Sequence, residues 1–421
     1  MKSSSCFFIA VRYLLGRAHE GGRYLRGAAA GIAVSLIPII VTLVVADGMI
    51  RGIVDRYLEL GTGHLQVFSF FDSESLEKVS EQIKKIDGVR DVWLERRGMG
   101  VLVGKDGKTG ASIRAINPLF WEDRGSQEYL KLVAGTLRFE TGSQMLLGES
   151  LAASIGADIG DTVRLMTIRT DSNGNNIPMV TPFSVSGIVS SGYHELDALW
   201  CIITDEGGRR ILTEGSSSSS LIVKINNPYT QADKMAWLLY SRIGAGFGVY
   251  TWKNLMHSQY SAYESTRQML LFIMALIVIV AAVNVSSATS MLVIERQRDI
   301  AVLKVTGAPT KGITGVFLWG SFLTGLCGAI IGIAIGLFLG YFINPIIRSL
   351  EIILSFFSNL GGSAEVKILD PGFYLETIPV VIDRFAVFLI GCFTIFCSVA
   401  ASWIPARRAG KLKPMELLRK N

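Results

Sequence analysis

Residues Glu295–Gly312 read ERQRDIAVLKVTGAPTKG, a short charged segment caught between two long apolar runs, Met269–Ile294 and Ile313–Ile347. Within it Ile300, Ala301, Leu303 and Lys304 fall at helical spacing, which predicts a helix with one apolar face. Glu295, Arg296, Arg298, Asp299 and Lys304 charge the remainder. Gly307 predicts the stop, because glycine accepts the left-handed conformation that ends helices, and Pro309 prevents resumption for a turn. A plain surface loop needs no patterned helix. The apolar stripe predicts a docking element for a cytoplasmic partner, gripped through Ile300 and Leu303.

Working outward, the rest of the chain is apolar enough to live in a bilayer. Of 421 residues 50% are hydrophobic, the class of a membrane protein with a substantial aqueous part. The net charge of +6 does not imply nucleic acid, since the basic residues flank the apolar runs, as topology determinants do. Four spans are expected, at residues 27–47, 268–294, 313–347 and 385–404. Residues 1–26 form a basic segment in which Phe7, Phe8, Val11, Leu14 and Leu15 predict an amphipathic helix on the inner membrane surface. Pro38 is expected to kink the first span. In the third, Gly328, Gly332, Gly336 and Gly340 recur every fourth residue, which predicts a smooth seam against a neighbouring helix. Asn284, Ser286, Ser287, Thr289 and Ser290 are expected to serve as glue between helices. The lysines and arginines gather in 1–26, 295–312 and the tail 405–421, whereas 348–384, read as an outer loop, is acidic. Both termini are therefore expected in the cytoplasm and residues 48–267 outside.

Those outer residues have the pattern of an ordinary α+β domain. Ile50, Ile53, Val54 and Tyr57 continue the first span as a stalk. A strand at His64–Phe70 and a helix carrying Leu76, Val79, Ile83 and Ile86 precede the strand region beginning at Val89. Leu221–Ile225, Thr230–Ile243 and Gly248–Trp252 make a second unit of this kind, which predicts a sheet assembled from both ends of the domain. Between them Met145–Ile211 is expected to be an all-β insertion, and Ser216–Ser220 a loop. Inside the insertion, IRTDSNGNNIPMVTP (Ile168–Pro182) predicts a projecting hairpin: Asn173-Gly174 turns it, Pro178 and Pro182 stiffen the return arm, and Met179 is an exposed apolar tip.

Catalytic chemistry is not legible. Gly107-Lys108-Thr109 lacks the glycine a phosphate loop needs five residues earlier, where Leu102 stands, and a KDGK turn accounts for it. His194, Glu195 and Asp197 form one short cluster without a second histidine, so no metal is expected. Ser150 lies in GESLA, which is not a nucleophile elbow. The five cysteines are scattered and form no pair motif. The chain is expected to be no enzyme and to hold no cofactor of its own.

Four motifs carry a resemblance to a known family. The run E-R-x-x-D-I-A-V-L-K-x-x-G-A (Glu295–Ala308) resembles the coupling segment of ABC permeases of the FtsX/MacB superfamily, most of all the LolC/LolE lipoprotein-release permeases. Those commonly have glutamate where this chain has Asp299. FIAVRYLLGR (Phe8–Arg17) resembles the LolC/LolE opening, Leu146–Leu165 the MacB-like extracytoplasmic domain, and Pro405–Lys420 the P-A-x-R-A…P-x-x-x-L-R ending. The resemblance implies an inner-membrane permease that extracts lipoproteins from the outer leaflet. It implies a LolD-like ATPase dimer, which binds the ATP and magnesium, and a second LolC/LolE-like permease as partners. It also implies a LolA-like periplasmic carrier, met in LolC-like members by a hook at the place of the 168–182 hairpin. The acyl chains are expected between the outer halves of the first two spans, where Leu43, Val44, Met269, Phe272, Ile273 and Leu276 lie. Two other branches of the superfamily imply different work: an efflux permease of the MacB kind, or an FtsX-type regulator of a cell-wall hydrolase.

Overall fold

A computed structural model describes residues 3–15, 21–70, 74–170, 176–212, 217–244, 246–360, 375 and 377–412. The chain divides into two compact units, one of residues 1–49, 263–350 and 378–421, the other of 50–262 and 351–377.

The first unit contains the apolar helices. Four helices are long and apolar enough to cross a membrane, beginning at Arg23, His257, Thr310 and Arg384. The first span belongs to a 36-residue helix, Gly21–Arg56, with Pro38 on its exposed side and no break in the helix there. The second is His257–Glu295, the third Thr310–Tyr341, and the fourth Arg384–Ala401. The third ends sooner than its apolar run, at Phe342, and a separate helix follows at Ile343–Leu360. Pro345 has no N–H to offer the Tyr341 carbonyl, so the helical ladder is interrupted there. The expected loop at 348–384 thus begins as helix, while most of 361–376 lies outside the described residues.

The glycine seam closes on the first span. A methyl added at Gly328 would lie 2.8 Å from Ile32 Cβ, at Gly332 2.8 Å from Leu36 Cβ, and at Gly336 2.7 Å from Ile40 Cβ. Each glycine thus receives a bulky residue of the opposite helix, which advances four positions for every four. Hydroxyls reinforce the bundle: Thr289 Oγ1 lies 3.1 Å from Ser321 Oγ and 3.2 Å from Ser402 Oγ, and Ser398 donates to the Ser321 carbonyl. At one end of the bundle Arg267 holds Asp47 at 2.9 Å and Asp383 at 2.7 Å, joining three helices through one guanidinium. The N-terminal helix, Ser3–Leu15, turns Cys6 and Ala10 inward, with the Cys6 thiol 3.5 Å from the Gly312 carbonyl. Phe7 meets Trp319 edge-on, while Phe8 is exposed.

The second unit is built on one mixed sheet. Its strands are β1 (Leu65–Ser69), β2 (Val89–Val103), β3 (Lys108–Ile116), β4 (Lys131–Gly135) and β5 (Gln144–Gly148). There follow β6 (Thr162–Thr170), β7 (Asn176–Ser190), β8 (Trp200–Thr204), β9 (Ser217–Ile225) and β10 (Phe247–Thr251). The order is β10-β1-β9-β2-β3-β8-β5-β7-β4, with β6 bridging β2 and β7. The two ends of the domain therefore meet at β1, β9 and β10, as the two matched units predict.

Two expectations are corrected here. Residues 145–211 are not all-β: helices Glu149–Ile155, His194–Asp197 and Asp205–Ile211 alternate with the strands, and β8 joins β3 in parallel within the same sheet. Gly148 and Thr204 stand at the starts of two of these helices, the latter accepting from Gly207 N–H, a local signal that strand periodicity hides. Ser217–Ser220 is not loop but the start of a central strand, with Ser220 buried opposite Glu95. Pairing on both sides overrides the poor strand preference of serine.

Charges are buried in this unit, and each is held. Arg114 grips Glu95 at 2.7 and 3.0 Å and Arg97 adds a bond of 2.8 Å. Burial alone would raise the Glu95 carboxyl, but the two guanidiniums overcome it and hold it down to about 2. Lys224 donates to the Leu58 and Glu59 carbonyls and to the Glu59 carboxylate at 2.7–2.9 Å, capping the turn that ends the stalk. His64 Nδ1 accepts from Ile225 N–H, so its proton sits on Nε2, 2.9 Å from Glu59.

Candidate functional site

The charged segment folds as a helix, Gln297–Val305, set off from the second span by a bend at Arg296. It ends as the sequence predicts. Gly307 has φ +90°, its N–H bonds the Lys304 carbonyl, and Ala308 N–H bonds that of Leu303, the paired bonds of a Schellman cap.

The orientation of this helix corrects one expectation. Ile300 and Ala301 do not face outward; both are buried, and Ile300 packs among Leu25, Leu292, Ile313, Phe317, Ala406 and Ala409 of this same chain. Lys304 is also turned inward, donating to the Leu412 carbonyl at 2.6 Å, and Leu303 is half-buried. The outward face carries Glu295, Arg298 and Asp299, together with Val302 (60% exposed) and Val305 (69%). Arg296 pairs with Asp299 at 3.0 Å across one turn. Sequence reasoning missed the two valines, although Arg298, Val302 and Val305 make an i, i+4, i+7 stripe that names them. An apolar pair framed by both charge signs suits a shallow protein groove.

The six residues expected to line a lipid gap do not form one wall. Leu43 and Val44 are buried in the bundle core, Val44 against Gly340. Met269, Phe272, Ile273 and Leu276 are exposed on a single stripe of the second span. The corresponding outward stripe of the first span is Ala30, Val34, Pro38 and Thr42, at strict four-residue spacing. The sequence misled because the first span is apolar all round, so hydrophobicity could not distinguish its two sides.

In the second unit, β6 and β7 form a long antiparallel hairpin, paired from Thr162↔Ser184 to Thr170↔Asn176. Asn173 and Gly174 lie outside the described residues. Pro178 and Met179 belong to β7 rather than to a loop, and Met179 is half-buried against the domain core, opposite Thr167. Strand alternation explains it: Leu165, Thr167 and Met179 point inward, whereas Met166, Ile168, Pro178 and Val180 point outward. Pro178 and Pro182 are tolerated because β7 begins pairing with β5 only at Ser184. The outward side of this hairpin is an apolar face: Val101 lies opposite Met166, Met166 opposite Val180, and Ile168 opposite Pro178. Among the described residues no cluster of ligating side chains could hold a metal ion.

A bundle of apolar spans, a capped charged helix between two of them and an α+β domain inserted after the first define the class, a membrane permease. Residues 271–414 match the FtsX-like permease C-terminal region, and residues 27–236 match the MacB-like periplasmic core domain. The chain belongs to the FtsX/MacB superfamily of ABC transporter permeases. It is 27% identical to the lipoprotein-releasing system transmembrane protein LolC of Neisseria meningitidis serogroup B, over 98% of both chains. To the corresponding LolE protein of Haemophilus influenzae it is 22% identical, again over 98% of both. A macrolide export ATP-binding/permease protein, MacB 2, of Aeromonas hydrophila is 22% identical over 92% of this chain but over only 57% of its own length.

Proposed function

We propose that this chain is the permease subunit of an ABC transporter that lifts lipoproteins out of the inner membrane's outer leaflet and passes them to a periplasmic carrier. The observation that carries this reading is the alignment with LolC and LolE proteins over 98% of both chains. The efflux alternative has less support, because the MacB protein matches this chain more weakly than the LolC protein does.

In this reading an ATPase subunit, which binds ATP and magnesium, seats on Arg298, Asp299, Val302 and Val305. Its stroke enters the bundle through Ile300, which is packed among residues of four other helices. A covalent lipid loses about 0.8 kcal/mol for each CH₂ withdrawn from the bilayer, so extraction requires such a stroke. The acyl chains lie along Met269, Phe272, Ile273 and Leu276, near the Arg267 ion cluster at the outer end of the same helix. The apolar face of the β6–β7 hairpin receives the carrier.

The test is reconstitution. Proteoliposomes containing the chain, its co-purified partners and a lipoprotein should release that lipoprotein to soluble carrier only when ATP is hydrolysed. Release that is independent of ATP, or partners lacking an ATPase, would sink the proposal.

A further inference from the structure

The sheet of the second unit has two ends, and they are guarded differently. At one end β4 carries Lys131, and its register with β7 shifts between Leu132 and Ala134. A lysine and a bulge both discourage an added strand at an unpaired edge. At the other end β10 reads FGVYT, without lysine or proline, and its register with β1 runs unbroken from Phe247 to Thr251. The Phe70 N–H donates to the Gly246 carbonyl and the Trp252 N–H to that of His64, so the even-numbered residues along β10 bond to β1. Phe247, Val249 and Thr251 therefore turn their main-chain groups to the open side. The Thr251 N–H donates to Asn254 Oδ1 at 3.2 Å. Among the described residues the N–H and C=O groups of Phe247 and Val249 have no partner. Beside them lies an aromatic patch: the Phe68 and Tyr250 rings meet edge-on at 5.8 Å, and a methyl at Gly248 would touch both Tyr250 and Phe70.

We propose that this open edge receives an extended segment of the cargo's polypeptide as an added strand beside β10. The main-chain groups themselves specify the occupant, because another extended chain meets alternating donors and acceptors at that spacing. The side chains of such a strand lie across from Tyr250, whose exposed ring accepts apolar neighbours of many shapes. Pairing through the main chain selects an extended conformation rather than a sequence, which suits a transporter whose cargoes share a lipid and differ in polypeptide. The inference rests on the lipoprotein reading for which polypeptide arrives, and on β10 alone for where it binds.

The experiment measures binding of a fluorescein-labelled peptide, Lys-Thr-Val-Thr-Val-Thr-Val-Lys, to the full-length chain in nanodiscs. The same peptide N-methylated at every threonine and valine has lost the donors of both its edges and should not bind. Val249→Pro removes an N–H on the open side and no bond to β1, so the thermal midpoint should hold while peptide affinity falls by about 10-fold or more. A benzophenone amino acid replacing Tyr250 should capture the peptide, and in proteoliposomes the lipoprotein; one replacing Leu132, on the guarded β4 edge, should capture neither. Failure of the peptide to bind, equal binding of its N-methylated form or by Val249→Pro, equal capture at Leu132, or adducts at Tyr250 with other proteins but not with lipoprotein would each overturn the inference. Peptide binding requires neither ATP nor a lipid anchor. Lipoprotein release can therefore fail while the edge binds peptide, and the edge can fail while release proceeds.

Discussion

At the scale of single residues, Ile300 and Val302 sit two positions apart and play opposite parts. Ile300→Asp sets an unpaired carboxylate among Leu25, Phe317 and Ala406, and is expected to destabilise the inner end of the bundle by about 3 kcal/mol or more. Val302→Asp changes only the outward face. It should leave the yield of monodisperse protein unchanged while abolishing cargo-stimulated ATP hydrolysis in the assembled transporter. Loss of folding in Val302→Asp, or full coupling, would overturn the assignment of that face. Glu95 gives a pH prediction. Its folded pKa of about 2 lies below the ordinary carboxylate value of 4.5, so the stabilisation it provides is complete above 4.5 and is lost as pH falls toward 2. Glu95→Gln should remove that slope from acid unfolding followed by circular dichroism. At neutral pH it should lower stability by roughly 3–5 kcal/mol, because Arg114 and Arg97 lose their counter-charge.

At the scale of elements, the glycine seam and the hairpin each follow from a period. The seam's period of four places every glycine against the first span. Gly332→Leu therefore has no room, and overpacking should cost about 1–3 kcal/mol or more, read as a fall in thermal midpoint in detergent. The same change at Gly27, where an added methyl meets nothing within 4 Å, should be silent. In the hairpin the period is two. Ile168→Glu on the outward face should diminish carrier pulldown without affecting assembly. Met179→Glu, on the inward face, should instead destabilise the domain. Equal carrier binding by wild type and Ile168→Glu would remove the hairpin from the docking site.

At the scale of the molecule, the charge asymmetry of the connecting segments argues for cytoplasmic termini and an external domain. The measurement is labelling of intact cells with an impermeant thiol reagent. A cysteine at Trp237, exposed on the helix Pro228–Ile243, should label, and one at Val302 should label only after the membrane is opened. Of the native thiols, Cys201 interferes little: buried in the core of the second unit, it is pushed up to about 12. The reverse pattern would invert the proposed direction of transport.

What the sequence determined by itself was whatever depends on composition and local period. Four apolar runs, the strand–helix–strand units at the two ends of the inserted domain, the Gly307 cap and the four-residue glycine repeat all follow from short stretches of chain, and the structure contains them. The family motifs were legible for the same reason, being contiguous. Tertiary structure decided which side of each element is inside. In the helix Gln297–Val305, Ile300 and Val302 are both aliphatic, and only the arrival of Leu25, Phe317 and Ala406 made one core and left the other exposed. On the first span every face is apolar, so Leu43 could not be told from Val34 until the third span's glycines closed on one side. Met179 turned inward because of register, which long-range pairing sets, and the serines of β9 became a strand because β1 and β2 flank them. Hydrophobicity selects what can be buried; the neighbours that arrive from distant sequence choose which of it is.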